Sequence, residues 1–502
     1  MTPADYPLRQ LANPQVTALA DDSTTHQSPV DTGLLRADAD LGQSASAVGR
    51  LLRAAGVQKN DRVALVARGG RDTAVVLLGI FAAGAIAVPV NPGYQHDELA
   101  HVLRDSGARL VVETVEQEPS AALAEVVAAL AIPWRSAAAL VAEAGLDDGP
   151  GLLAPADDDD SVIIYTSGTT GRSKGCVHTH GGLRRGLSAL MQLWGVGPGD
   201  VVVNALPLFH VHGLCVALLG PLWAGAAVRL VDRFSPTSML DAVDAGGTVA
   251  MTVPTMVFRL LEHFGAHPDD VARCKRLRLL TCGSAALSPA QLEAFRTTTG
   301  LTILERYGMS ETLITLSNPL DGERVPGAVG RPVPGTRIRI VDDELQVQTP
   351  GMMRGYHNRA DADAEVFVLD DDGQRWFRTG DAVSVDDDGV VRIVGRLSQD
   401  ILKVGGYKLS TREIEEAIAS HADVAEVTVV GLPDEQWGER VCAVVVARPG
   451  AAPTLEQLQQ HVRLAETKKP RALLLVEALP RNALGKVQKH LVKALAQERL
   501  RP

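Results

Sequence analysis

The sequence predicts an α/β protein of layered, largely parallel sheets that is divided into more than one domain. The chain has 502 residues, which is too long for one ordinary hydrophobic core. Short apolar runs alternate with amphipathic, helix-like stretches over most of the chain, as expected for helices layered on parallel sheets. After about residue 330 the strands become shorter and Asp/Gly turns appear, as at 370–373 and 386–391. These turns indicate β-hairpins or a small β-barrel-like part.

The apolar runs predict the individual strands. They are Val63–Val66, Leu110–Val112, Ser161–Tyr165, Val201–Ala205, Ala227–Leu230, Thr248–Val253 and Leu277–Leu280. The longest apolar stretch, Ala74–Val90, is interrupted by Gly79, Gly84 and Pro89. We therefore expect a buried helix that turns into a strand there, and no membrane span.

A separate small domain is predicted at the C-terminal end. After Gly395–Arg396 the chain combines an amphipathic segment, VGGYKLSTREIEEAI, with two β-rich runs, VAEVTVVGLPD and ERVCAVVVA. This combination is typical of an α+β domain of about a hundred residues, which is an ordinary domain size. We predict a large N-terminal domain over residues 1–398 and a small C-terminal domain over residues 399–502.

The composition restricts the partners and the compartment. A net charge of −11 argues against nucleic acid or an anionic membrane as the main partner. The five cysteines are an odd number and form no CxxC or Cys/His metal spacing, which is typical of reduced thiols in the cytoplasm. The N-terminus has no basic region followed by an apolar stretch, so no secretory signal is expected. We expect a soluble, cytoplasmic protein.

The most informative segment is SVIIYTSGTTGRSKG at 161–175, in which an apolar strand runs directly into a loop of small, hydroxylated and basic residues. Glycines let the loop turn its backbone N–H groups inward, hydroxyls add donors, and Lys174 adds a compact positive charge. Such a loop is suited to hold a polyphosphate, although it lacks the Walker pattern. A solvated linker is the alternative, but a linker seldom follows a buried strand directly. The loop residues are Thr166, Ser167, Gly168, Thr169, Thr170, Gly171 and Gly175.

The spelling YTSGTTGRSKG resembles the phosphate loop of the adenylate-forming superfamily, which includes acyl-CoA synthetases, peptide-synthetase adenylation domains and luciferases. Further motifs follow in the order of that superfamily, over roughly residues 45–490. They are LPLFHVHGL at 206–214, CGSAAL at 282–287, ERYGMSETL at 305–313, WFRTGD at 376–381 and PRNALGKVQKH at 480–490. The resemblance implies an acyl-CoA synthetase that uses ATP, Mg²⁺ and CoA. A carboxylate would attack ATP to give an acyl-adenylate and pyrophosphate, and the thiol of CoA would then form the thioester.

The resemblance also implies roles for the residues that bind the nucleotide. Tyr307 would offer an aromatic face to adenine, Ser310 a hydroxyl to the α-phosphate, and Glu311 a carboxylate to magnesium, which binds through one or two carboxylates and substrate phosphates. Lys174 would meet the charge that develops on phosphate. The residues expected around the nucleotide are Thr166, Ser167, Gly168, Thr169, Thr170, Gly171, Ser284, Tyr307, Ser310, Asp381 and Arg396.

Other implied roles lie towards the C-terminus. Asp381 would accept hydrogen bonds from both ribose hydroxyls, with Arg396 nearby, and Gln399–Asp400 would be the hinge of a mobile C-terminal domain. Lys486 would contact the α-phosphate and the substrate carboxylate during adenylation, although a lone lysine near a C-terminus is more usually a solvated charge. Rotation at the hinge would withdraw Lys486 and bring Gly405–Gly406 to the pocket, where they leave a narrow channel for pantetheine.

The LPLFHVHGL motif predicts the acid pocket. His210 and His212 lie on the same face if the segment is extended. A metal pair is one interpretation, and the resemblance favours another, with His210 near the reacting carboxyl. The small residues of CGSAAL let a flat ring approach the backbone. The acid pocket is expected to include His210, Arg259, Ser284, Gly308 and Met309.

Within the superfamily the chain is most similar to malonyl- and methylmalonyl-CoA synthetases, through LPLFHVHGL, LGPL, RFS, VPTMxxR, GSAAL and ERYGMxETL. In that subfamily the Arg of VPTMxxR, here Arg259, pairs with the distal carboxylate, which suits its bidentate fork. A helix-surface Arg is the alternative. A ligase for another, bulky or aromatic acid, or an enzyme of one half-reaction, also remains open. A non-enzymatic adenylate-binding protein is disfavoured by Lys486, Glu311 and Asp381, and we expect a monomer or homodimer.

Overall fold

A computed structural model describes residues 34–114, 118–145, 155–166, 173–397, 400–404, 407–434, 437–481 and 487–500. These residues group by their contacts into two compact units. The first unit runs to Pro326 and adds Gly330–Arg337 and Gln348–Phe377, and the second comprises Gly327–Val329, Ile338–Val347 and the residues from Arg378 onwards. The small β part groups with the C-terminal residues, whereas we predicted a boundary between residues 398 and 399. That boundary stays a prediction.

Helices and strands alternate in the first part of the chain, as predicted. They are β1 (Leu34–Leu35), α1 (Ala39–Ala54), β2 (Arg62–Val66), α2 (Arg71–Ala82), β3 (Ile86–Val90), α3 (His96–Ser106), β4 (Ala108–Glu113), α4 (Ala121–Leu130), β5 (Trp134–Ser136) and α5 (Ala137–Ala144). The apolar stretch Ala74–Val90 is a buried helix followed by a strand. Gly79 lies within α2 and does not interrupt it. This glycine is where α2 packs closely against α1, because an added Cβ would lie 2.5 Å from Val48 Cγ1.

The middle of the chain carries the predicted motifs. Its elements are β6 (Asp160–Thr166), β7 (Lys174–Thr179), α6 (His180–Leu193), β8 (Val201–Asn204), a π-helix (His212–Leu219), α7 (Gly220–Trp223), β9 (Ala227–Leu230), α8 (Pro236–Asp244), β10 (Val249–Thr252), α9 (Pro254–Ala266), a 3₁₀-helix (Pro268–Asp270), α10 (Val271–Cys274), β11 (Leu279–Cys282), α11 (Pro289–Thr299), β12 (Leu304–Met309), β13 (Leu313–Ser317) and β14 (Arg331–Pro332). All seven strands predicted from apolar runs are present, with ends shifted by at most two residues.

Shorter strands dominate the rest of the chain. The elements are β15 (Arg337–Val341), β16 (Glu344–Gln348), β17 (Gly355–Tyr356), α12 (Ala360–Val366), β18 (Phe367–Leu369), β19 (Arg375–Val385), β20 (Val391–Arg396), β21 (Ile401–Val404), β22 (Tyr407–Ser410), α13 (Thr411–Ala419), β23 (Val424–Asp434), β24 (Gly438–Ala447), α14 (Leu455–His461), a 3₁₀-helix (Glu466–Lys468), β25 (Ala472–Leu475) and α15 (Lys489–Arg499). The predicted Asp/Gly turns connect β18 to β19 and β19 to β20, with Asp370 and Asp386 accepting backbone N–H groups.

The first unit contains two large sheets in which parallel pairing dominates. One has the order β17-β7-β6-β3-β2-β4-β5, and the other β1-β9-β8-β10-β11-β12-β13-β14. Strands β2 to β6 are parallel to their neighbours, while β7 and β17 add antiparallel pairs at one edge. In the other sheet β8 to β12 are parallel, and β13 turns back along β12. The polar motifs follow the carboxyl ends of β6, β8, β11 and β12, where open α/β sheets usually bind ligands.

The second unit has a sheet of order β22-β21-β24-β23, with β25 alongside β24. Ile414 and Ile418 of α13 belong to one hydrophobic cluster of this unit, and Val492 and Ala496 of α15 to another. This is the α+β arrangement that the sequence predicted for the C-terminal region. The five cysteines are buried and free, and within the described ranges no helix is long and apolar enough to cross a membrane.

Candidate active site

The flanks of the phosphate loop are two hydrogen-bonded strands. Strand β6 ends at Thr166 and β7 begins at Lys174, and these two residues face each other across the antiparallel ladder. The Thr166 hydroxyl donates to the Lys174 carbonyl at 3.4 Å. Gly175 allows the close packing beside the loop, because an added Cβ would lie 2.5 Å from Ile163 Cγ2. The predicted loop residues themselves, Ser167, Gly168, Thr169, Thr170 and Gly171, lie outside the described residues, and their roles stay predictions.

Tyr356 connects Lys174 of β7 with Glu311, which lies in the turn between β12 and β13. The Tyr356 hydroxyl donates a hydrogen bond of 2.8 Å to Glu311 Oε1. The ammonium of Lys174 lies 4.6 Å from the centroid of the Tyr356 ring, which is a cation–π distance. Burial and the charge of Glu311 raise the pKa of the Tyr356 phenol well above its ordinary value. Tyr356 was not among the residues predicted from the sequence.

The turn that carries Ser310 and Glu311 is held from strand β7. The fully buried imidazole of His178 donates from Nε2 to the carbonyl of Ser310 at 2.7 Å. Burial lowers the pKa of His178 to about 4, so the ring is neutral at neutral pH. At Gly308 the β12–β13 ladder has a bulge, and an added Cβ would lie only 2.1 Å from the Leu313 carbonyl oxygen. Glycine is therefore required at this position.

The segment that carries His210 and His212 is not extended, so the condition under which the two rings would share a face is not met. His210 lies in a turn and His212 begins the π-helix, so strand periodicity does not relate the two rings. Burial lowers the pKa of His210 to about 4, and its Nε2 atom is buried without a hydrogen-bond partner among the described residues. No group of three or more potential metal ligands exists in the described part of the chain. A neutral, buried imidazole is compatible with an acid pocket.

A buried guanidinium contacts His212. Arg306 of β12 is 4% exposed, and its Nη2 donates to His212 Nε2 at 2.6 Å. The donor at Nε2 places the imidazole proton on Nδ1, which lies 3.5 Å from the Ser284 hydroxyl. Gly283 makes room for this cluster, because an added Cβ would lie 2.3 Å from Arg306 Nη1.

Arg306 was not among the residues predicted from the sequence, although its place in an alternating strand was informative. In the strand LERYGM, side chains alternate between the two faces of the sheet, so Arg306 is opposite to Glu305 and Tyr307. Burial lowers the pKa of the Arg306 guanidinium to about 10. Burial and the neighbouring Arg306 charge lower the pKa of His212 well below its ordinary value. Within the described residues no carboxylate pairs with Arg306, and the cation has only a neutral partner.

The other predicted pocket residues lie on the same unit in different surroundings. Arg259 is exposed on α9, with its guanidinium 5.2 Å from the centroid of the Phe234 ring. Ser284 is exposed and has the left-handed φ of +70°, a conformation that is uncommon for residues other than glycine. Tyr307 and Met309 are half-buried. The roles predicted for these residues stay predictions.

The predicted ribose and hinge residues belong to the second unit. Arg396 Nε donates to Asp381 Oδ1 at 2.9 Å, across the paired strands β19 and β20. Asp400 accepts from the Arg396 N–H at 2.9 Å, and it forms an ion pair of 2.6 Å with Lys489 of α15. Lys489 also lies 2.7 Å from Glu415 Oε1. Burial alone would raise the pKa of Asp400, but the Lys489 ammonium lowers it overall.

Four of the predicted residues of the C-terminal region, Gln399, Gly405, Gly406 and Lys486, lie outside the described residues. Their roles as hinge, channel and adenylation lysine stay predictions. The structure therefore brings together Lys174, Glu311 and the turn of Ser310 in one cluster, and Asp381 and Arg396 in another.

Comparisons with known proteins agree with these motifs. A family model described as AMP-binding enzyme matches residues 39–357, and a second, AMP-binding enzyme C-terminal domain, matches residues 413–486. A malonate–CoA ligase of Arabidopsis thaliana is 35% identical, covering 87% of this chain and 78% of its own length. A mitochondrial malonate–CoA ligase of Homo sapiens is 34% identical, and the match covers 86% of this chain and 82% of that ligase. The crystal structure of ATP-bound MatB from Rhodopseudomonas palustris has a TM-score of 0.84 and 32% identity over 92% of this chain and 93% of that chain. The chain belongs to the AMP-binding enzyme family.

Proposed function

We propose that the chain is an ATP-dependent malonate–CoA ligase. The family and the relatives establish the class of reaction as AMP-forming acid–CoA ligation. The observation that supports malonate is the buried cation of Arg306 beside the predicted acid pocket. Methylmalonate carries the same two carboxylates and is expected to be a substrate as well.

The electrostatics of Arg306 favour a diacid. Removing a guanidinium from water costs several kcal/mol unless an anion and further hydrogen bonds compensate it. Arg306 is buried against the neutral imidazole of His212 and the backbone at Gly283. The second carboxylate of malonate would supply the missing anion, and the planar guanidinium would bind it through two parallel hydrogen bonds. A monocarboxylic acid such as propionate offers no such partner.

His212 would set the orientation of the pocket. Its Nε2 is occupied by Arg306, so its Nδ1–H points towards the Ser284 hydroxyl. His210, whose pKa burial lowers to about 4, would contact the reacting carboxyl as a neutral ring. A neutral ring leaves the attacking carboxylate its full negative charge and so preserves its reactivity towards the α-phosphate.

The residues around Glu311 fit a magnesium ion that is bound together with ATP. Magnesium in such sites takes one or two carboxylates and completes its coordination with phosphates and water, so the single carboxylate of Glu311 is sufficient. When bound, the ion would neutralise charge on the phosphates. Lys174 would contact the same phosphates, and Lys486 would approach the α-phosphate in the adenylating conformation. We further propose domain alternation about Gln399–Asp400, a cytoplasmic location, and a monomer or homodimer.

The test is a pyrophosphate-release screen of purified protein with ATP and magnesium, run across acids with and without CoA. We expect malonate and methylmalonate to exceed propionate by at least tenfold, and malonyl-CoA to form when CoA is present. A preference for propionate or for an aromatic acid would contradict the malonate assignment, but the assignment to the acid–CoA ligases would stand. Pyrophosphate release without thioester formation would indicate an enzyme of one half-reaction.

A further inference from the structure

We propose that Tyr356 is a positioning residue that separates Lys174 from Glu311 and so keeps both charges available for magnesium-bound ATP. This inference rests on the proposed function, because it takes Lys174 and Glu311 as phosphate and magnesium ligands. Both residues touch the same phenol, Glu311 through the hydroxyl and Lys174 over the ring face. Within the described residues, neither of them forms an ion pair with the other or with any other charge.

Tyr356 is itself held firmly. Strand β17 pairs with β7, with Tyr356 opposite Cys176, and the Tyr356 N–H donates to Asp363 Oδ1 at 2.8 Å. Gly355 allows the approach of Asp363, because an added Cβ would lie 2.4 Å from its Oδ2. The phenol is therefore positioned by the backbone of the same strand that carries Lys174.

The segment before Tyr356 also binds the backbone of Glu311. The Met353 N–H donates to the Glu311 carbonyl at 2.7 Å, so Glu311 is held by its main chain and by one carboxylate oxygen. The second carboxylate oxygen, Oε2, can therefore bind a metal ion.

A direct contact between Lys174 and Glu311 would work against phosphate binding. An ammonium and a carboxylate within 4 Å neutralise each other, and both would then have to separate before ATP and magnesium could bind. A phenol between them accepts the cation on its face and donates to the anion from its edge. This arrangement keeps the two charges close without letting them combine.

The test is calorimetric binding of ATP, with magnesium and separately with EDTA, in the absence of acid and CoA. Tyr356→Phe keeps the ring and removes the donor to Glu311. We expect magnesium–ATP binding to weaken by roughly tenfold or more, since a hydrogen bond to a charged group is lost, while binding in EDTA changes less than threefold. Tyr94→Phe, a tyrosine of the same unit outside the predicted site, is the matched control and should bind as the unmodified chain.

A second pair of variants tests the separation itself. Tyr356→Leu removes the ring and should weaken magnesium–ATP binding more than Tyr356→Phe, because Lys174 and Glu311 can then pair. In the background of Glu311→Gln no pair can form, so adding Tyr356→Leu should cost less than threefold more. Equal losses in both backgrounds would overturn the proposal, as would normal magnesium–ATP binding by Tyr356→Phe or equal losses with magnesium and with EDTA.

The two proposals fail in different ways. If the unmodified chain binds no ATP, the proposed function and the role of Tyr356 both fall. If it binds magnesium–ATP normally but does not use malonate, only the substrate assignment is wrong, because the binding test contains no acid.

Discussion

Each of the two compact units places a cation largely out of solvent, but the partners of the two cations differ. In the first unit, Arg306 is 4% exposed and contacts the neutral ring of His212. In the second unit, the Lys489 side chain is 14% exposed and lies within 2.7 Å of Asp400 and Glu415. Two carboxylates thus surround Lys489, whereas no carboxylate of the described residues pairs with Arg306.

The difference separates a cation that stabilises the fold from one that is suited to bind a ligand. A buried charge with hydrogen-bonded counter-charges holds elements together, and breaking such a pair is costly because the remaining charge is uncompensated. A buried charge without a counter-charge destabilises its unit, and the binding of an anion to it lowers the free energy. The comparison therefore predicts that changing Arg306 affects substrate use, while changing Lys489 affects stability.

The largest effect is expected from Arg306→Met. Malonate would lose its counter-charge in a desolvated pocket, at a cost of about 2–5 kcal/mol, so kcat/KM for malonate should fall roughly 30- to 5,000-fold. Propionate should lose much less, and the unfolding temperature of the first unit should not fall. Arg296→Met, at an exposed arginine paired with Glu293, is the control. Equal losses for malonate and propionate would contradict the proposal that Arg306 binds the second carboxylate of malonate.

The second effect is the loss of stability in Lys489→Met. The change leaves Asp400 and Glu415 uncompensated, which should lower the free energy of unfolding of the second unit by about 3 kcal/mol. Scanning calorimetry would measure it. Lys493→Met on the same helix is a matched control, because the pair of Lys493 with Glu439 is more exposed and is worth under about 1 kcal/mol. If both variants are equally stable, the Lys489 cluster does not stabilise the unit.

The third effect is a difference in pH dependence. His178 and His210 have folded pKa values of about 4 against an ordinary 6.5, so their protonation favours the unfolded state. Each should cost the first unit roughly 1 kcal/mol as the pH falls from 6.5 to 5.5. In the second unit the lowered pKa of Asp400 acts in the same sense but in a lower pH range, because its stabilisation is lost only as the pH falls below the ordinary carboxyl value of 3.8. Calorimetry at pH 7.5, 6.5 and 5.5 should show the first unit alone losing stability, and equal losses in both units would contradict this.

The smallest effect is expected from Arg259→Ala. The arginine is exposed and stacks on Phe234, an interaction worth about 0.5–1 kcal/mol, so malonate turnover should fall by less than about fivefold. Kinetics with malonate and propionate, side by side with Arg306→Met, would check this. A loss above tenfold that is specific to malonate would show that Arg259 binds the distal carboxylate, as the family resemblance implies. The exposed Arg259, and not the buried Arg306, would then be the cation that recognises the substrate.

Much of the fold follows from local patterns. The apolar run before Thr166, the turns at Asp370 and Asp386, and the helix–strand pair within Ala74–Val90 were all predictable, because neighbouring residues determine strand periodicity and turn chemistry. The positions of Ser310 and Glu311 in one turn were equally predictable from the spelling of their motif. Whether the segment around His210 and His212 is extended could not be predicted, since the periodicity of so short a segment does not distinguish a strand from a helical turn.

The family, the order of the motifs and the residue types of the nucleotide site can be read from the sequence, because each motif is a short contiguous segment with its own chemistry. Which charges are compensated depends on tertiary contacts. Tyr356 and Glu311 are 45 residues apart in the chain, and Arg306 and His212 are 94 apart, so no local pattern relates them. Whether an arginine is a surface charge or a buried ligand site depends on how much water the whole fold removes from it, and the folded chain alone sets that quantity.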